Sequence, residues 1–140
     1  DNVFEADRDN YDLYEECVKP LVSETFKRAT TTCFAYGQTG SGKTYTMMGT
    51  RDGSVSGMYT LASYDIMELL NAYEGLELSV CFYEIYCGKL HDLLNKRKQI
   101  ECREDAKHRV QIVGIREAKV SSIEEVMDLI HEGLQCRTSG

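Results

Sequence analysis

Thr31-Thr32-Cys33-Phe34-Ala35-Tyr36-Gly37-Gln38-Thr39-Gly40-Ser41-Gly42-Lys43-Thr44-Tyr45-Thr46-Met47 joins a run of β-branched and aromatic residues to a glycine-rich turn that ends in Lys-Thr. Gly37, four intervening residues and then Gly42-Lys43-Thr44 fit G-x-x-x-x-G-K-[ST], the pattern of a phosphate-binding loop, with a strand-like lead-in. The spacing has a physical reason. A triphosphate carries dense negative charge, and backbone N–H groups of a loop entering a helix meet it at close range without needing a side chain. Gly37, Gly40 and Gly42 have no Cβ to obstruct a tight curl or bar a positive φ. Lys43 reaches the β and γ oxygens as a point charge, and Thr44 offers a hydroxyl to Mg²⁺. Gly37, Gln38, Thr39, Gly40, Ser41, Gly42, Lys43 and Thr44 are therefore expected to hold ATP or ADP. Lys43 and Thr44 stand nearest the chemistry, with Thr44 as the metal ligand. The bland alternative is a surface Gly/Ser turn.

Working outward, 140 residues suffice for one domain with a core. No window approaches the roughly 18 consecutive apolar residues of a membrane span, so no membrane partner is expected. Asp1-Asn2-Val3-Phe4-Glu5 lacks the basic start and apolar run of a secretory signal, and the chain begins without Met, as an excised piece would. The net charge of −7 argues against bulk attraction to nucleic acid, so a polyanionic partner must be met by a local patch. Cys17, Cys33, Cys81, Cys87, Cys102 and Cys136 show neither a C-x-x-C pair nor a His at zinc-ligand spacing. They are expected to be buried, reduced thiols of a cytosolic protein.

Periodicity supplies the elements. Leu13, Cys17 and Leu21 interleave with Tyr14, Val18 and Val22 at spacing four, which predicts a helix from Tyr11 to about Arg28, kinked or interrupted by Pro20. Thr31 to Tyr36 reads as a buried strand. Thr50 to Gly57 reads as a turn, and Met58, Leu61, Ala62, Asp65, Ile66, Leu69, Leu70 and Tyr73 mark one helical face on which Asp65 is the polar exception. After Gly75, Leu76 to Tyr86 is apolar on both alternating faces, as an interior strand would be. Ile100 to Arg103 and Val110 to Val120 read as a hairpin. Ser122-Ile123-Glu124-Glu125 is a capping box opening a last helix with Val126, Leu129, Ile130, Gly133 and Leu134 on one face.

With Phe34 to Met47, Phe82-Tyr83-Glu84-Ile85-Tyr86-Cys87-Gly88-Lys89-Leu90-His91-Asp92-Leu93-Leu94 and the closing Arg137-Thr138 in view, the sequence resembles a kinesin motor domain. The resemblance covers nearly the whole chain. Within kinesins it is most similar to the internal-motor class, the kinesin-thirteen group, which removes tubulin from microtubule ends. Gly57-Met58-Tyr59-Thr60-Leu61-Ala62-Ser63, Gly88 to Lys96, Val110-Gln111-Ile112-Val113-Gly114 and Cys136 to Gly140 carry that subclass.

The resemblance implies an α/β fold of the P-loop NTPase kind, a motor-type central sheet with helices on both faces, incomplete here. Residues 1–140 would be a partial motor domain, with the loop strand and helix, a central strand, a tubulin-facing hairpin lobe and the start of the helix preceding the first switch. It implies an ATPase of the microtubule cytoskeleton and spindle, located in the cytoplasm, and allows a homodimeric parent. Tyr45 takes the position where kinesins set a ring against adenine; core packing at the helix start is its alternative. Glu84, on an otherwise apolar strand, is expected to serve a structural hydrogen bond more than catalysis. Lys107 and Arg109, between two strands of the lobe, are the tubulin-contact residues, with a solvated hairpin tip as the alternative and Lys96, Arg97 and Lys98 as weaker contacts. The kinesin switch segments Ser-Ser-Arg and Asp-x-x-Gly do not occur in these residues, nor do the upstream Arg/Pro adenine clamp and the main tubulin-binding helix. The chain by itself is therefore expected to bind nucleotide without appreciable turnover and to leave strand edges and apolar faces uncovered. Two other readings stay open: a truncated, non-motile module that binds nucleotide or tubulin, and a plus-end-directed translocating kinesin.

Overall fold

The two interleaved rows around Tyr14 do form a helix, but in three pieces. In the computed structural model, which describes residues 2–137, α1 (Asn10–Leu13) and α2 (Lys19–Phe26) flank a π-turn over Tyr14–Val18. Asp9 caps α1, its carboxylate accepting from the Asp12 N–H at 2.9 Å. The Lys19 N–H closes the wide turn on the Tyr14 carbonyl. Pro20 then falls in the first turn of α2, where a missing N–H costs little. The interruption expected at Pro20 is thus a widened turn just before it.

Residues up to Glu74 form one compact unit. Its core is Tyr14, Val18 and Met58, with Leu13, Met47, Leu61 and Ala62 packed at the margin. The short helix α3 (Lys43–Met48) follows the glycine-rich loop, and α4 (Met58–Leu70) carries the expected stripe as far as Leu70, Tyr73 lying past its end and exposed. Asp65 is explained: the buried Tyr14 hydroxyl donates to its Oδ2 at 2.6 Å. Burial, and then this carboxylate, hold the phenol well above its ordinary pKa. The run Thr31–Tyr36 is not the buried strand expected. It joins no ladder among the described residues, and Phe34 and Tyr36 are 80% and 95% exposed. A strand's N–H and C=O groups are satisfied by neighbouring strands, and composition alone does not provide them.

The second unit starts at Gly75. Leu76–Tyr86, expected as one strand, breaks at Cys81-Phe82 into β1 (Leu78–Val80) and β2 (Tyr83–Tyr86). β1 pairs antiparallel with β6 (Ala118–Val120). β2 begins an antiparallel sheet of order β2-β3-β4-β5, with β3 Lys89–Asp92, β4 Lys98–Glu104 and β5 Val110–Val113. A run that serves two sheets must bend where it changes partners. Cys87 and Gly88, both at positive φ, make the two-residue turn that sets Tyr86 opposite Lys89. Leu90 lies opposite Ile100, and Cys102 opposite Ile112.

Leu93, Leu94, Ile100 and Val126 are the buried apolar residues of this unit. Asp92, fully buried, accepts the Leu94 N–H at 2.9 Å and the Arg116 N–H at 2.7 Å, and so ties the end of β3 to the chain entering β6. The capping box is present at the head of α5 (Ile123–Cys136): Ser122 Oγ accepts the Glu125 N–H at 3.2 Å. Glu125 reaches back one residue further than usual, to the Ser121 N–H at 2.7 Å. Gly133 gives α5 room for the Phe82 ring, which a Cβ there would strike.

The cysteines depart from expectation. Cys17, Cys33, Cys81, Cys87 and Cys102 are exposed and Cys136 is half-buried, all as free thiols. The runs around Cys33, Cys81 and Cys87 make no ladder, a break between two strands and a turn, so these thiols stay uncovered. Among the described residues no His/Cys/Asp/Glu group could hold a metal ion, and no helix is long and apolar enough to cross a membrane. Thr138, Ser139 and Gly140, the last residues of the signature, lie outside the described residues.

Candidate functional site

Gly37 to Gly42 form a tight curl, closed by the Ser41 N–H on the Gln38 carbonyl at 3.2 Å. Gly40 and Gly42 stand at φ 83° and 91°, the left-handed region that favours glycine. A Cβ at either would meet nothing within 4 Å, so the space over the loop is open. At Gly37 a Cβ would run into the Ser41 hydroxyl. Lys43 folds back beneath this curl, and its ammonium donates to the Gly37 carbonyl at 2.6 Å and the Gln38 carbonyl at 2.7 Å.

The donor set suits a polyphosphate with its metal. Lys43 already gathers oxygen acceptors of the kind phosphates supply, the backbone at Gly40 and Gly42 borders open space, and Thr44 is exposed beside it. A Thr hydroxyl is a hard oxygen ligand of the sort Mg²⁺ takes. Tyr45 is 48% exposed, so its ring is not part of the core and presents a face to solvent. A concavity of about 790 Å³ lies elsewhere on the first unit, lined by Glu5, Asp7, Asp12 and Glu16 with Arg8 among them. Its carboxylates repel phosphate, and charge outweighs size in deciding between the two places.

Sequence reasoning missed Asn10. Its side chain is buried, 5% exposed, and its amide Nδ2 donates to the Tyr45 carbonyl at 3.0 Å and to the Ser56 carbonyl at 3.1 Å. Nothing local signals partners 35 and 46 residues away. The only hint is an Asn that follows a capping Asp and sits where a helix starts. Gly49 was likewise unread, and Gly57 was read as the end of a turn and not as a crossing. Gly49 and Ser56 form an isolated antiparallel bridge, and a Cβ at Gly49 or Gly57 would collide with backbone atoms of the other segment.

In the second unit, the tip between β4 and β5 is internally paired. Asp105 accepts the N–H groups of Lys107 at 2.8 Å and Arg109 at 3.0 Å, and Arg109 Nε at 2.9 Å. These bonds, that from the Arg109 backbone first, hold the Asp105 carboxyl below the usual range. His108 Nδ1 contacts Glu104. Of the two basic tip residues, Arg109 is thus engaged, while the Lys107 ammonium has no ion-pair partner among the described residues. Glu84 receives Arg97 Nε at 2.7 Å, and that guanidinium lies 5.3 Å from the Tyr86 ring centre, so the carboxylate on the apolar strand is paired.

Comparison with known proteins decides the family, because the kinesin motor domain matches this chain over residues 1–140. The chain belongs to the kinesin motor family. Kinesin-like protein KIF24 of Homo sapiens is 46% identical to it over 143 aligned positions, and KIF24 of Mus musculus is equally similar. Each alignment takes in 100% of this chain and 10% of the relative, so the chain spans about a tenth of the length of the curated relatives it matches. As a kinesin, its mixed helix and antiparallel sheet make an incomplete motor-type α/β fold.

Proposed function

We propose that this chain is the ATP-binding portion of a kinesin that acts on microtubules and uses ATP hydrolysis to depolymerise their ends. The observation that carries the nucleotide reading is the Gly37–Thr44 curl, open above its glycines, with the Lys43 ammonium gathered onto two carbonyl oxygens. In this reading Lys43 exchanges those carbonyls for phosphate oxygens. Gln38, Thr39, Gly40 and Gly42 supply backbone N–H groups, Ser41 adds its own only by leaving the Gln38 carbonyl, Thr44 holds Mg²⁺, and the exposed Tyr45 ring lies against adenine. Bound ATP supplies the phosphoanhydride whose cleavage drives the motor. The depolymerising class rests on Gly57–Ser63, Gly88–Lys96, Val110–Gly114 and Cys136–Gly140.

Lys107 is the leading tubulin contact at the hairpin tip. Arg109 joins it only by leaving Asp105, so acidic tubulin must compete with an internal carboxylate. Microtubules and the spindle are the place of action, and a homodimeric parent is compatible with this role. The 140 residues contain neither Ser-Ser-Arg nor Asp-x-x-Gly, and phosphoryl transfer depends on positioned charge, so by themselves they bind nucleotide without turnover.

Titrating MgADP into the wild-type chain and Lys43→Ala tests the site. Loss of charge-assisted bonds to phosphate should weaken binding about a hundredfold. Equal affinity would remove the assignment. The class is tested by adding the full protein and ATP to stabilised microtubules under the microscope. Shortening from the ends supports depolymerisation, and directed movement without shortening replaces it with a translocating kinesin.

A further inference from the structure

We infer that Asn10, on the first turn of α1, is a positioning residue for the nucleotide site, holding α3 and with it the cradle. The inference rests on the nucleotide reading above. No residue of α3 is buried, and of its side chains only Met47 packs at the margin of the core. A six-residue helix with so little packing needs another hold. The Tyr45 carbonyl provides it by accepting twice, from the Gly49 N–H at 2.9 Å within the chain's own turn and from Asn10 Nδ2 at 3.0 Å. The second hydrogen of the same amide reaches the Ser56 carbonyl at 3.1 Å, on the segment that bridges Gly49.

One buried NH₂ group therefore joins the end of α3 to the strap that leads into α4, at the point where the glycine backbones cross. Removing it leaves the Ser56 carbonyl without this donor and the Tyr45 carbonyl with one bond in place of two. Gly42, Lys43 and Thr44 lie within one turn of Tyr45, since the Thr46 N–H bonds the Gly42 carbonyl at 2.9 Å. Release of Tyr45 thus loosens the very residues that would grip phosphate and metal.

The test compares MgADP affinity of the full chain as wild type, Asn10→Ala and Tyr14→Phe, at a temperature where circular dichroism shows all three folded. Tyr14→Phe removes a part-buried hydrogen bond of the same unit, to Asp65 on α4, and keeps the ring in the core against which Met47 packs. Asn10→Ala should bind about tenfold more weakly, and Tyr14→Phe within about twofold of wild type. Wild-type affinity in Asn10→Ala, or an equal loss in both variants, overturns the inference. Should Asn10→Ala not fold, Asn10→Ser, which keeps one donor, decides: an intermediate affinity upholds the role and wild-type affinity overturns it. Failure of the wild type itself to bind MgADP sinks the nucleotide reading and this inference together.

Discussion

In the first unit, α3 has no buried residue and is held by a doubly accepting carbonyl, a glycine crossing and a lysine folded under its own loop. In the second, antiparallel ladders set β2 to β5 residue against residue, and the tip's charges are mostly paired with one another. The contrast follows from what the proposed nucleotide role asks of the first region. Backbone donors that are to receive a ligand have to be left unpaired by secondary structure, so the loop that carries them is held from outside by a few polar contacts. A ladder satisfies its own donors, gains rigidity and offers a partner only its side chains.

The comparison can be broken from the ladder side first. Asp92→Ala leaves two N–H groups, of Leu94 and Arg116, without their buried acceptor and should destabilise the second unit by about 4 kcal/mol in urea unfolding. A loss below about 1 kcal/mol would mean that the ladders alone hold the lobe. On the cradle side, Gly57→Ala forces a Cβ against Met47, Met48 and Gly49 backbone atoms, none of which is a flexible side-chain end. About 2 kcal/mol should be lost, with the α3 amides losing hydrogen-exchange protection before those of α4. Uniform loss across both helices would show that α3 is no more weakly held than its neighbour.

The smallest effect sharpens the picture at the strap. Asp52 is exposed, and bonds from the Thr50 side chain and then from the Ser54 backbone and hydroxyl hold its pKa at about 2. Its folded value is depressed, so its contribution is present above the unfolded carboxylate range near about 3.9 and is lost as pH falls through about 2. NMR should find the Asp52 carboxyl titrating near that low value, with the turn over Thr50–Val55 intact at a pH of about 4. Titration at the ordinary value would mean that the turn is not formed in solution.

Much of this was legible from local pattern. The loop motif, the capping box at Ser122 and the stripe from Met58 to Leu70 each depend on residues within a turn or two of one another, and each is present. What was not legible depended on distant partners. Thr31–Tyr36 has the composition of a strand but no neighbour to make it one, and Leu76–Tyr86 is split by two sheets whose other members lie up to 42 positions away. The thiols were expected inside because the strands were. Arg109 looked available because its pairing with Asp105 is a matter of turn geometry, and Asn10 drew no reading because its partners are far along the chain.

The π-turn over Tyr14–Val18 has a consequence for length. Each residue of a regular helix advances its surface by about 100°, so one surplus residue in a widened turn acts as a shim that sets the phase between the helix before it and the helix after it. Tyr14 opens that shim and Val22 lies beyond it, and both are buried, though eight residues of regular helix would set them about 80° apart. Deleting a single residue between them would remove the surplus, let the helix wind regularly and leave Val22 within about 20° of its buried face. This helix should therefore tolerate the loss of one residue across the turn better than the gain of one, which would turn Val22 about 100° from the interior.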